Sequence, residues 1–227
     1  KHLADVQQQG GVALNVANAL WLQQGFDVSE GRLDTLEQFY AANFFQVNFA
    51  EAYEAVREEI NKWIEEQTRD KITNLLPPGT LNALTRLVLT NAIYFKGNWA
   101  QTFSPDATAE APFWISPKKS VPVEMMYQQT VLKYGDIDEG QVVILPYAGE
   151  ALSMVVLLPK ERDGLNAMET KLTAERVTSW IAQVAAREVK VYLPKFRFTS
   201  QFNLSATLQT MGMQEAFSEN ADFSEMA

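Results

Sequence analysis

Apolar residues fill both alternating faces of residues 12–23 (VALNVANALWLQ), the pattern of a strand covered on two sides. Residues 33–43 place Leu33, Leu36, Phe39 and Tyr40 at helical spacing, and FQVNF at 45–49 alternates as a short strand does. Residues 51–69 set Val56, Ile60, Trp63 and Ile64 on one stripe with charge opposite. That predicts a helix lying on a surface, supported by the i,i+4 pairs Glu58–Lys62 and Glu65–Arg69. LLPPGT at 75–80 ends the region. The stretch LVLTNAIYFKGNW, Leu87 to Trp99, then reads as a buried apolar strand with one amide, Asn91, at its centre and an indole, Trp99, just past its end.

Residues 110–145 hold several short strand-like runs. VVILPY and LSMVVLLP, within 142–158, read as a hairpin whose two arms are both central core. Residues 165–186 predict a helix burying Leu165, Met168, Leu172, Val177, Trp180, Ile181 and Val184. VKVYLPKFRF at 189–198 alternates, with Pro194 dividing it. NLSATLQTMGM at 203–213 predicts a short helix with Asn203 as its N-cap and Gly212 as the glycine beyond its C-cap. Met125–Met126 and Met211–Met213 read as core filler. Strands and helices in mixed order, joined by hairpins and long connections, indicate an α+β fold, and no linker or repeat divides residues 1–227 into more than one domain.

Charge and cysteine content narrow the function. The chain has 227 residues and a net charge of −9, which argues against nucleic acid or an anionic membrane as a partner. It has 0 cysteines, which removes disulfides, thiolate metal sites and a cysteine nucleophile. The single histidine is His2, near one end, so a Ser-His-Asp hydrolase site has no internal base. Glu58–Glu59 and Glu65–Glu66 are adjacent on a helix and point about 100° apart, so they read as a solvated face rather than a glycosidase pair. No cofactor or metal motif is present, and the chain does not read as an enzyme. What remains is polar or aromatic material set in apolar strands: Asn91, Trp99, Tyr147 and Lys195.

The run TNAIYFKGNWAQTF (90–103) closely resembles the serpin pattern of asparagine, aromatic-rich strand, FKG, any residue and Trp. VEMMYQ (123–128), LPYAG with LSMVVLLP (145–159), LPKFRF with a following NL (193–204), and LQTMGMQEAFSENADFS (208–224) are similar to serpin segments, in serpin order. The resemblance implies a metastable multi-sheet fold with surrounding helices, of which these residues are a part. It implies inhibition of serine endopeptidases, with cysteine proteases a less common target, by a suicide-substrate mechanism. The cleaved reactive loop inserts as a strand beside the one containing Leu87–Phe95. The alternative within the family is a non-inhibitory chaperone, carrier or storage protein. Residue by residue, Asn91 matches the asparagine of the shutter, where the main sheet parts. Trp99, Tyr147 and Lys195 match the breach, where the loop first enters. The resemblance places the reactive bond, the hinge glutamate that pairs with the lysine and the partners of the asparagine outside this sequence. It implies a monomer when complete, and an extracellular location more often than a cytoplasmic one. The ending ADFSEMA has Glu225 where the family usually has glycine.

Overall fold

A computed structural model describes residues 11–26, 38, 42–200 and 202–222. Its backbone divides into two compact units. One comprises Leu14–Phe95 with Thr199–Ala227, the other Lys1–Ala13 with Lys96–Phe198. The helix expected at 33–43 lies outside the described residues, apart from Gln38.

The first unit is built on a three-stranded sheet in the order β2-β1-β3, with β1 at Val12–Gln23, β2 at Ala42–Val47 and β3 at Leu87–Gly97. β1 and β2 run parallel. As the middle strand, β1 buries consecutive residues Ala19 to Leu22, as a strand covered on both faces must. Helix α1, Phe49–Gln67, packs Phe49, Val56, Ile60 and Ile64 into a core with Ala17, Ala19, Trp21, Val47 and Ala92. Its start is set by Asn48, whose side chain accepts from the Glu51 N–H at 3.1 Å and donates to the Glu51 carboxylate at 3.0 Å.

Three features of α1 differ from the expectation. Arg57 is buried, 7% exposed, on the edge of the apolar stripe. It donates to Glu54 at 2.7 Å and to the Leu76 carbonyl at 2.8 Å. Asn61 completes the clamp, donating to the Leu76 carbonyl at 2.9 Å and accepting from its N–H at 2.8 Å. The proline-rich 75–80 segment is thereby tied to the helix. The anticipated pairs also reorganise. Glu58 meets Arg57 at 3.7 Å, and Glu65 accepts from the Asn74 N–H. Arg69 lies past the helix end at φ 53° and stacks over Tyr94. The helix stops two residues earlier than the pattern implied, because Thr68 closes it by returning its hydroxyl to the Ile64 carbonyl at 2.8 Å.

The second unit carries a five-stranded sheet: β4 at Ala109–Ser116, β5 at Lys119–Ile137, β6 at Gly140–Pro146, β7 at Ser153–Pro159 and β8 at Ala185–Pro194. The short runs expected between 110 and 145 merge into the 19-residue β5. Met125 pairs with both Ala109 of β4 and Pro194 of β8, and Lys133 with both Ile144 of β6 and Ala186 of β8. A residue has two edges, so β8 occupies one side of β5 while β4 and β6 share the other at opposite ends. The predicted hairpin is present as β6 and β7, but only β6 is central. Val142 and Leu145 are buried, whereas β7 ends the described strand order and exposes Val155 and Leu158.

The helix expected over 165–186 is broken into α2, Leu165–Glu169, and α3, Ala174–Ala182, with β8 already begun at Ala185. Met168 and Trp180 reach the core with Ile137 and Val142, while Leu165, Leu172 and Ile181 stay exposed. The break is chemical: Thr173 caps α3 by accepting from the Arg176 N–H. Glu139, in the β5–β6 turn, anchors α3 through Arg176 at 2.5 Å and the connection before it through Lys171 at 3.6 Å. Burial pushes its carboxyl upward, but its backbone hydrogen bond and the two cations outweigh this and hold it below the ordinary value.

The first unit also contains α4, Ser205–Thr210. Gly212 at φ 108° donates to the Gln209 carbonyl and Met213 to that of Leu208, the paired bonds of a Schellman ending. The N-cap position falls on Leu204 rather than Asn203. Met211 and Met213 are exposed and are not core filler.

Gly140 opens β6 where a Cβ would overlap the Leu158 carbonyl of β7. Both clashing groups are on paired backbones, so neither can swing aside. In the full-length protein Gly140→Ala is expected to lower unfolding stability by about 1–3 kcal/mol in a denaturant titration. An unchanged midpoint would contradict this packing.

Candidate functional site

In the first unit, Asn91 stands at the middle of β3. Thr90 and Ala92, its neighbours on the opposite face, are buried, and Asn91 shares its own exposed face with Leu89, Ile93 and Phe95. The expected buried amide is thus an exposed one, because β3 alternates instead of being covered twice. It is nevertheless bonded: Nδ2 donates to Oδ1 of Asn18, in β1, at 2.6 Å. The expectation that all its partners lie elsewhere is corrected by Asn18. The signal was present, since β1 carries Asn15 and Asn18 among its apolar residues, and an amide in such a strand asks for a partner.

The reverse face carries a second cross-strand link. Trp21 Nε1 donates to Thr90 Oγ1 at 3.1 Å, and Thr90 Oγ1 to the Ala19 carbonyl at 3.4 Å. One amide–amide bond on the exposed face and one indole–hydroxyl bond on the buried face therefore join β1 to β3 at adjacent residues. A shallow cavity of about 190 Å³ opens there, lined by Asn18, Leu20, Ala42, Leu89 and Asn91 among others.

In the second unit, Trp99 and Tyr147 come together. Their backbones form an isolated antiparallel bridge, and their rings stack at 4.7 Å with planes 10° apart. Backbone bonds hold the arrangement: Ala100 N–H to the Pro146 carbonyl at 2.9 Å, and Ala148 N–H to that of Asn98 at 2.8 Å. Phe103 meets the Trp99 ring edge-on at 6.2 Å. Tyr147 closes β6, and the turn after it uses Gly149 at φ 85° and Glu150 at φ 58° before Leu152 returns a carbonyl to the Tyr147 N–H. Lys195 follows β8 directly. Its N–H donates to the Glu124 carbonyl at 2.8 Å, and its ammonium meets the Glu124 carboxylate at 3.6 Å. Both side chains are solvated, so this ion pair is easily exchanged for another. Glu124 was not singled out by sequence; its register, one residue before the β5 position opposite Pro194, is what brings it to Lys195.

Burial raises the Tyr147 phenol above its ordinary value of 10.0. No group of three or more acidic, histidine or cysteine residues is placed to hold a metal ion among the described residues. Among those residues, too, no helix is long and apolar enough to cross a membrane. The second unit thus presents a stacked aromatic pair, Trp99–Tyr147, and a solvated ion pair, Lys195–Glu124.

A family model, Serpin (serine protease inhibitor), matches residues 1–227. The chain is 41% identical over 217 residues to human Serpin B3, covering 94% of this chain and 56% of the relative. It is 39% identical to the leukocyte elastase inhibitor of Sus scrofa, covering 99% of this chain and 62% of that one. Emu ovalbumin matches with a TM-score of 0.93 at 34% identity, covering 99% of this chain and 60% of that one. A loop-inserted, cleaved ovalbumin mutant matches at TM-score 0.91 and 32% identity, covering 98% and 61%. The chain belongs to the serpin family, and its α+β architecture is the serpin one. It spans 56% to 62% of the length of these relatives.

A neutral phenol favoured by the fold contributes its stability in full below the unfolded-state pKa, and loses it as pH rises through the folded one. Subtracting the phenolate absorbance titration of Tyr147→Phe from that of the full-length protein should therefore leave one tyrosine titrating above the ordinary range. A difference curve centred on the ordinary value would contradict the burial of this ring.

Proposed function

We propose that the chain is part of a single serpin domain that inhibits serine endopeptidases as a suicide substrate, its reactive loop entering the main sheet next to β3. The supporting observation is the pairing of β3. Among the described residues its strand neighbour is β1, and that seam is bonded on both faces by Asn18–Asn91 and Trp21–Thr90. An arriving strand meets least resistance on the other side of β3, where main-chain groups can take up a new ladder. In this reading Asn91 is the shutter residue, at the level where the sheet parts, and its bond to Asn18 keeps β1 and β3 together. Trp99, Tyr147 and Lys195 are breach residues. The stacked rings form the floor where the loop enters, and Lys195 exchanges Glu124 for an acidic hinge residue. The working form is a monomer acting outside the cell, without a cofactor. A relative named as an elastase inhibitor directs the first choice of target.

Full-length protein mixed with trypsin-, chymotrypsin- and elastase-like proteases should give a complex with at least one of them that survives denaturing electrophoresis. Cleavage without a complex in every case would replace this reading by a non-inhibitory serpin. Asn91→Ala removes the bond to Asn18, at a cost of about 1 kcal/mol. It is expected to change the stoichiometry of inhibition and the tendency to polymerise, with protease docking unaltered. If both properties match the wild type, the shutter role is refuted.

A further inference from the structure

Asn203, Leu204 and Ser205 form the one Asn-x-Ser/Thr triplet among the 227 residues. Neither the inhibitory reading nor the sheet architecture uses it. The helix-end role of this asparagine uses only half of its amide. Helix α4 begins after Leu204, one residue beyond Asn203. Asn203 Oδ1 accepts from the Ser205 backbone N–H at 2.9 Å, a first-turn donor of the helix. That bond occupies the acceptor half of the amide and leaves Nδ2, the half that can be substituted, without a hydrogen-bond partner among the described residues.

Room is available as well. Asn203 is exposed, Phe202 before it is 77% exposed and Leu204 after it 55%. A bulky, strongly hydrated group on Nδ2 would project into solvent and screen two apolar side chains that now face water.

We propose that Asn203 is an acceptor for an asparagine-linked oligosaccharide, added when the chain passes through a compartment that holds a lipid-linked glycan donor and its transferase. The donor is an oligosaccharide joined through its anomeric carbon to a lipid diphosphate. Asn203 Nδ2 forms a C–N bond to that carbon while the C–O bond to the diphosphate breaks. The lipid diphosphate leaves with the bonding pair, and the amide loses one proton to a base of the transferase. No oxidation state changes. The Ser205 hydroxyl is the second element that the transferase reads. This site stands apart from protease inhibition and does not depend on it.

The test is to express the full-length protein behind a secretion leader in eukaryotic cells and to map the Asn203 peptide of the lumenal and secreted protein by mass spectrometry. The expected result is a glycan on Asn203, with a gel shift that collapses on treatment with peptide N-glycosidase. Asn203→Gln and Ser205→Ala should each lose the Asn203 glycan, while Ser205→Thr should keep or increase it. Ser205→Ala retains the backbone N–H that holds Asn203, so its loss of glycan cannot come from a lost turn; an unchanged melting temperature checks this. An unmodified Asn203 peptide in the wild type would overturn the proposal. So would a glycan that persists on Asn203 in Ser205→Ala.

Discussion

One side chain, Trp21, holds the three-stranded unit together. It stands in the central strand and stacks on Phe45 of β2 at 4.2 Å. It meets Trp63 of α1 edge-on at 5.9 Å and donates its indole proton to Thr90 of β3. Two strands and the covering helix are thus fixed relative to β1 by a single ring system. Aromatic contacts set angle as well as distance, and the indole N–H requires a partner once buried. Helix α1 can lie across the sheet only where Trp63 meets that ring, and β3 can pair only where Thr90 meets its nitrogen. The amide bond between Asn18 and Asn91 then sits next to a position that was already determined from the other face.

The second unit is organised around a different constraint, the joining of strand ends by short-range geometry. Trp99 begins a connection and Tyr147 ends a strand, yet a single backbone bridge and two flanking hydrogen bonds lay their rings parallel. A stacked pair with a raised phenol pKa is an apolar platform whose hydroxyl stays neutral at physiological pH. The solvated ion pair Lys195–Glu124, in the same unit, is a contact that can be traded without great loss.

Much of this was legible in the sequence, and the exceptions share a cause. The strand at 12–23, the existence of the helix before the proline-rich segment, the hairpin and Gly212 follow from periodicity and local chemistry. Only the family resemblance singled out Trp99 and Tyr147, because nothing local distinguishes them from other strand-end aromatics. What periodicity could not show was which apolar face is covered. Leu89, Ile93 and Phe95 read as core and are exposed, as do Leu165, Leu172 and Ile181. Burial of one face depends on what packs against it, which is not a property of the segment itself. Buried Arg57 escaped for the opposite reason: its partner, the Leu76 carbonyl, belongs to a loop whose path no local pattern specifies.

The length of β5 has a consequence for how errors are excluded. Its 19 residues are read by three partners: β4 over the first part, β8 over the middle and β6 over the last. A strand paired with one neighbour can slip by one residue and lose only the facing of its side chains. Here a slip would break three ladders together, turn Leu132 out of the core and pull Glu139 from its two cations, Arg176 and Lys171. Alignment of this sheet is therefore an all-or-none property. The strand works as a ruler checked at three points along its length, and a mis-set intermediate has no partial agreement on which to rest.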